Sequence, residues 1–360
     1  MKVNNFSNLG LNFRGYDAVP LKALYMQGVS DRGQLNILEE MAGVASKENI
    51  DLYVFNDENI IKPSEAKILP RYCSSRWAQD RKTFLETENG KKLIWASNDP
   101  SYNASVKKFF ADWKLEKDFM NPPGGNFFIG KNEKGEKWLL IGQDNVNLAK
   151  KNAFEVEYQK KTKAELAKIY DVCEENIFVI KQPNFHLDMS LRPVGYPYIL
   201  VDDPKLSLKN LDSLEERFPN DKNIARMREF LNAKLNSASY ANVDETIEAL
   251  ASFGFKPIRI AGSYSEEINF MNAIVHLKDD NKMTYITNST KYSTEAEGAL
   301  MNIFRGDLTD RFPQFKNIYF ISGKEDLNAR YKNDMMTNLG VRSGGIHCMT
   351  AEVPDFDRIG

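Results

Sequence analysis

Residues 343–350 read Ser-Gly-Gly-Ile-His-Cys-Met-Thr, which sets one of only three cysteines and one of only three histidines directly behind two glycines. Glycine has no side chain, so backbone at Gly344-Gly345 can pass close to a ligand or to another segment. A thiol placed there is a candidate nucleophile, since the thiolate attacks electrophilic carbon. The other two cysteines read differently. Cys173 follows Leu166, Ile169 and Tyr170 at helical spacing, which predicts a buried structural thiol, whereas Cys73 in Arg71-Tyr72-Cys73-Ser74-Ser75 follows no clear pattern. An odd number of widely spaced cysteines argues against a disulfide framework and for a reducing compartment; the cytosol is expected.

Working outward, Asn184-Phe185-His186-Leu187-Asp188 brings a histidine and a carboxylate two residues apart. If the segment is extended, both side chains point to one face, because strand side chains alternate. Such a pair suits proton transfer, and equally suits a plain surface ion pair. In Trp77-Ala78-Gln79-Asp80, Asp80 reads as a functional or a salt-bridged acid, and Trp77 as packing. If residues 343–350 are extended, His347 faces away from Cys348 and makes a structural hydrogen bond. His276 has no partner motif and reads as structural.

The chain has 360 residues with 48 Lys+Arg against 50 Asp+Glu, a formal charge of −2. That balance leaves no polybasic footprint for nucleic acid or acidic lipid, and no apolar run is long enough to span a bilayer. The start, residues 1–20, lacks the apolar core of a secretory signal. Phosphate-loop motifs, Cys-x-x-Cys and His-Glu-x-x-His are absent, so nucleotide and structural zinc chemistry are disfavoured.

Along the chain, one order recurs. Residues 33–46 have helical spacing and precede the strand 52–55; 166–173 precede 177–180, with Asn176 closing the helix; 244–251 precede 258–260, with Asp244 as cap; 294–304 precede 318–321. Hairpins are predicted at 127–129 with 138–141, and at 273–277 with 283–286. The Lys-rich stretch 150–168, interleaved with glutamates, reads as a solvated helical face. We read one α/β catalytic domain over 31–360, with residues 1–30 as an N-terminal extension packed on it.

Taken together, Trp77-Ala78-Gln79-Asp80, Gly124-Gly125-Asn126, His186-Leu187-Asp188, Ile268-Asn269-Phe270-Met271-Asn272 and Gly344-Gly345-Ile346-His347-Cys348-Met349-Thr350 resemble the guanidino-group-modifying enzymes of the pentein fold. These include peptidylarginine, agmatine and free-arginine deiminases and amidinotransferases. The resemblance implies ββαβ-type units around a pseudo-fivefold axis, which accounts for the recurring order. It also implies that Asp80 and Asp188 hold the guanidinium, Cys348 attacks its carbon and His186 moves protons. Asn126 is carried over as a substrate contact. No cofactor and no metal are implied.

Two carboxylates suit a planar cation whose N–H groups must be held in one orientation, and a covalent thiol adduct divides a difficult hydrolysis into two steps. The chain departs from the usual agmatine deiminase pattern. Arg81-Lys82-Thr83 follows Asp80, and Pro123 stands where many small-guanidine deiminases have Glu. The Gln79-Asp80 form is nearer to peptidylarginine deiminases, so the leading expectation is deimination of a peptide or protein arginine to citrulline and ammonia. A small-guanidine enzyme, either an agmatine deiminase or an amidinotransferase, is the first alternative; a non-catalytic pentein that binds a partner is the second. The sequence leaves the oligomeric state open.

Overall fold

The computed structural model describes residues 19–27, 32–56, 66–70, 77–79, 82–95, 104, 107–108, 110–118, 122–146, 160–239, 241–278, 281–290, 294–323 and 344–358. Among these residues, five small sheets share one plan: an antiparallel strand pair followed, after a crossover, by a third strand parallel to the second. The plan is clearest in the unit of strands Ile274–Leu277 and Met283–Asn288, helix Glu295–Arg311 and strand Phe315–Ile321. Three further units begin at strands Lys82–Thr87, Phe127–Lys131 and Leu191–Pro193. The remaining sheet joins the two ends of the chain. Strand Thr350–Pro354 lies antiparallel to Leu21–Gln27, which in turn runs parallel to Asp51–Asn56. Part of the segment expected as an extension is therefore a strand paired on both edges. Predicted hairpins and helix-strand units all fall on observed elements, with ends moved by a few residues.

Local sequence explains the boundaries. Helix Lys163–Tyr170 starts at a capping box, in which the Thr162 side chain accepts from the Glu165 amide while Glu165 reaches back to the Thr162 amide. It ends at Asp171 in the left-handed region (φ 55°), not at Asn176. Cys173 therefore lies beyond the helix and is exposed, correcting the buried thiol expected from its spacing. Helix Val243–Ser252 has the same capping box from Asn242 and Glu245, so Asn242 rather than Asp244 is the cap. Helix Pro204–Arg217 begins with Asp203 accepting the Lys205 amide and Pro204 in its first turn, where a missing N–H costs nothing. Helix Lys222–Leu235 follows, and both lie in the crossover between strands Tyr198–Asp202 and Lys256–Ile260. The 150–168 stretch falls partly outside the described residues, although Leu166 in its helical part is buried.

One core cluster joins Ile37, Leu38 and Met41 of helix Arg32–Lys47 to Leu24 and Met26 of the first sheet and to Ile286 and Ile321 of the last. Another packs Leu300 and Phe304 against Tyr285 and Phe270. These cores hold the sheets side by side and fix the loops at their ends. His276 is buried and accepts the Leu21 amide, the structural part expected of it. No helix among the described residues is long and apolar enough to cross a membrane.

Candidate active site

The candidate residues occupy matching places in successive units. Gly124–Asn126 form a short turn just before strand Phe127–Lys131; Leu187–Met189 form another just before Leu191–Pro193. Asn269 to Asn272 precede strand Ile274–Leu277, and Cys348 precedes Thr350–Pro354. Asp80 stands two residues before strand Lys82–Thr87 but lies outside the described residues, as does Cys73. Each unit thus delivers its polar residues from the same point in its plan.

The sequence reading of His186 and Asp188 on an extended strand is corrected. Only His186 is extended; Asp188 sits in a 3-10 turn. Asp188 and His186 nevertheless converge, because one turn of 3-10 helix also folds the chain back. The ligating atoms of His186, Asp188 and Cys348 all lie within 4.8 Å of one another. The thiol donates to Asp188 Oδ2 at 3.2 Å, and the Asn272 amide contacts Sγ at 3.1 Å.

The His347 reading is also corrected in its direction. Residues 346–349 form a turn rather than a strand, with the Met349 amide donating to the Gly345 carbonyl. The turn swings His347 toward Asp188, and its Nδ1 lies 2.7 Å from Oδ2. The expected structural hydrogen bond is made, but to a member of the site. Burial pushes the His347 imidazole down to about 4, helped by the Arg192 charge and opposed by the Asp188 bond. Neutral at pH 7, it donates Nδ1–H to Asp188, and its Nε2 accepts from Gln79 Nε2 at 2.7 Å.

Asp188 is fully buried. Burial raises its carboxyl, but the hydrogen bond from His347, with the Arg192 charge nearby, outweighs this and holds it below the usual carboxylate range. Its two oxygens are used unequally. Oδ2 receives His347, Asn272 Nδ2 at 2.7 Å and the thiol, whereas buried Oδ1 has no hydrogen-bond partner. Buried His186 Nδ1 is also unpartnered. Such atoms are rare unless a ligand satisfies them.

Three asparagines frame the segment of Cys348. Asn272 Oδ1 accepts the His347 amide at 2.9 Å, Asn288 Oδ1 accepts the Ile346 amide at 2.8 Å, and Asn269 Oδ1 accepts the Met271 amide at 2.8 Å. Asn288, at the end of its strand, went unnoticed in the sequence; the signal was a buried-type strand, Met283–Asn288, that closes on an amide side chain. The glycines are explained by crowding. A Cβ on Gly345 would lie 2.6 Å from the Asn288 amide, and one on Gly344 would lie 2.7 Å from the Trp77 ring. Trp77 thus packs, as expected. Asn126 is buried, and its amide nitrogen donates to Asn145 Oδ1 while its Oδ1 is unpartnered.

This arrangement can hold a planar cation against Asp188 Oδ1 with the thiol facing it. Among the described residues, His186, Asp188 and Cys348 are also the group whose donor atoms could close on a divalent metal, although Oδ2 already has three protein donors.

No family model matches the chain, and no curated protein matches it in sequence. Among solved structures, the chain is similar to an agmatine deiminase of C. jejuni, with a TM-score of 0.58 and 13% identity over 94% of each chain. It is also similar to a structural-genomics target provisionally described as an agmatine deiminase, with a TM-score of 0.52 and 11% identity, again over 94% of each chain. At these identities the likeness establishes the fold: the chain has the α/β pentein architecture that its motifs resemble.

Proposed function

We propose that this chain hydrolyses the guanidino group of a small guanidine, giving a ureido product and ammonia through a covalent bond to Cys348. The observation that carries the reading is the convergence of thiol, imidazole and carboxylate within 4.8 Å around two buried, unpartnered acceptors. A guanidinium offers N–H donors to those acceptors and its carbon to the thiol.

The steps follow from these groups. Asp188 Oδ1 accepts N–H bonds from the cation and, with Asp80 in the role its motif implies, orients the guanidinium plane. An ordinary thiol, with a pKa of ~8.5, is largely protonated at neutral pH; the cation's own charge favours transfer of the thiol proton to His186, which leaves the thiolate and the imidazolium. Sγ bonds to the guanidinium carbon, and the C–N bond to one terminal nitrogen breaks as His186 protonates it, releasing ammonia. His186 then takes a proton from water as the water oxygen bonds to the same carbon. The C–S bond breaks with its electron pair returning to sulfur while the hydroxyl proton of the adduct passes to the released ammonia, which leaves the neutral ureido product and ammonium; His186 returns its proton to the sulfur. Hydrogen bonding by Asn272 to Sγ supports the charged sulfur.

A small substrate is favoured over the peptide arginine expected from Gln79-Asp80, because the fold likeness is to proteins titled as agmatine deiminases over nearly the whole chain. The test measures ammonia and ureido product with agmatine, free arginine and blocked arginine peptides, then adds glycine or lysine as acceptors. Turnover of agmatine or arginine is expected. Activity restricted to blocked peptides restores the peptide reading, and guanidino transfer without ammonia replaces hydrolysis. Inertness toward every substrate favours a binding protein.

A further inference from the structure

A cavity of about 450 Å³ lies beside the catalytic residues and is not used by the reaction above. This is within the ordinary range for small-molecule sites. Its lining includes buried Asp202, whose oxygens are fully engaged: Oδ1 accepts the Gly262 and Ser263 amides, each at 2.9 Å, and Oδ2 accepts Lys234 Nζ at 2.6 Å and the Ser263 hydroxyl. Asp202 can accept little more. Lys234 Nζ also reaches Ser263 Oγ at 3.1 Å, which leaves the third N–H of its ammonium for something else. Ser190 lines the same cavity, is buried, and its hydroxyl has no partner. Among the described residues, one buried hydroxyl therefore lacks a partner, and the ammonium beside the cavity has one N–H that no protein acceptor takes up. Part of the wall is apolar, with Phe185, Phe230 and Val243 half-buried and Leu235 the one exposed large hydrophobic side chain among the described residues; Glu266 is an exposed acid in the same lining.

We infer that this cavity is a second ligand site, taking a molecule with an apolar body and a carboxylate head that accepts from Lys234 and Ser190. A carboxylate can accept from the Ser190 hydroxyl and the remaining Lys234 N–H, whereas an ammonium head would find both Asp202 oxygens already engaged and, among the lining residues, only exposed Glu266 as an acidic partner. The cavity borders the segment of His186 and Asp188 and the loop that carries Asn272. Phe185 directly precedes His186, Ser190 lies two residues after Asp188, and Asn269 anchors Asn272 by accepting its amide at 3.2 Å. The head could belong to a separate effector or to the far end of a guanidino substrate.

The test does not depend on catalysis. Full-length Cys348→Ala protein is titrated calorimetrically with 4-phenylbutyrate and with 4-phenylbutylamine. The carboxylate is expected to bind one-to-one, at least about tenfold more tightly than the amine, as a charge-assisted hydrogen bond supports. Ser190→Ala should weaken it by about tenfold on the same basis, and Val243→Trp should block it by filling the wall. Lys234→Met should abolish the preference for carboxylate over amine; Ser190→Ala and Val243→Trp serve where that variant fails to fold. Equal affinity for the two heads, no carboxylate binding up to about 10 mM, or binding unchanged in both Ser190→Ala and Val243→Trp overturns the proposal. Displacement of 4-phenylbutyrate by free arginine, but not agmatine, assigns the head to substrate; joint occupancy assigns it to a separate effector.

Discussion

Gly125 gives the sharpest test of the site. A Cβ at this position would lie 2.7 Å from His186 Nδ1 and 3.0 Å from both carboxylate oxygens of Asp188. Ordinary contact begins near 3.4 Å, so Gly125→Ala is too close to the imidazole by about 0.7 Å and to the carboxylate by about 0.4 Å. Asp188 Oδ2 is tied to three donors and cannot retreat without loosening them, whereas unpartnered Nδ1 and Oδ1 stand where the methyl arrives. The methyl therefore occupies guanidinium space and displaces the imidazole. Misplacement of this size costs about 100-fold in kcat/KM, equivalent to about 2.7 kcal/mol of transition-state stabilisation. Overpacking should lower stability by about 1–3 kcal/mol, leaving a folded protein. Ammonia release and thermal unfolding are measured on the same preparations. Gly43→Ala is the control: nothing lies within 4 Å of its added Cβ, and it sits inside helix Arg32–Lys47. It should gain about 0.5–1 kcal/mol with unchanged turnover. A folded Gly125→Ala protein with wild-type kcat/KM would refute the placement of substrate against these two groups.

Cys348→Ala should lose turnover with its fold intact; ammonia release at the original rate rules out the covalent route. Because His347 is held at about 4 against an ordinary value of 6.5, the unfolded chain takes up a proton in this interval that the folded protein refuses. Stability present above pH 6.5 should therefore fall as pH drops toward 4, by about 3 kcal/mol in total; depressed Asp188 adds its own loss only below its ordinary value of 3.8. Urea unfolding at pH 7 and 4.5 should show a smaller difference for His347→Asn than for wild type; an equal difference rejects the assignment. Activity should survive exhaustive chelation and fall when zinc is added, since the metal would compete for His186, Asp188 and Cys348; loss on chelation that zinc restores would point to a metal mechanism. Exposed Cys173 should react with a thiol reagent before buried Cys348, and mass mapping that finds the reverse order contradicts their burial.

Much of this protein was readable without coordinates. Apolar periods of two and of 3.6, with polar turns between them, marked the hairpin-helix-strand order because local backbone geometry imposes those periods. The motifs, through the family they resemble, singled out Cys348, His186 and Asp188, which the structure brings together, and Asp80, which lies outside the described residues. Direction was less accessible. The two key segments are turns, not strands, so alternation misjudged both the backbone at Asp188 and the side on which His347 lies. Cys173 failed for a related reason: periodicity does not show that the helix stops at left-handed Asp171.

What the sequence determined by itself was a set of chemically apt residues and the repeating order that carries them. Tertiary structure decided which atoms of His186, Asp188 and Cys348 converge and which of them stay without a partner. Gln79, Asn272 and Asn288 reach His347, Cys348 and Ile346 across 268, 76 and 58 positions, respectively. Contacts over such separations depend on how five sheets pack side by side, and no local pattern encodes that packing. It is these contacts that occupy Asp188 Oδ2 and leave Oδ1 open, turning a buried carboxylate into a one-sided receptor.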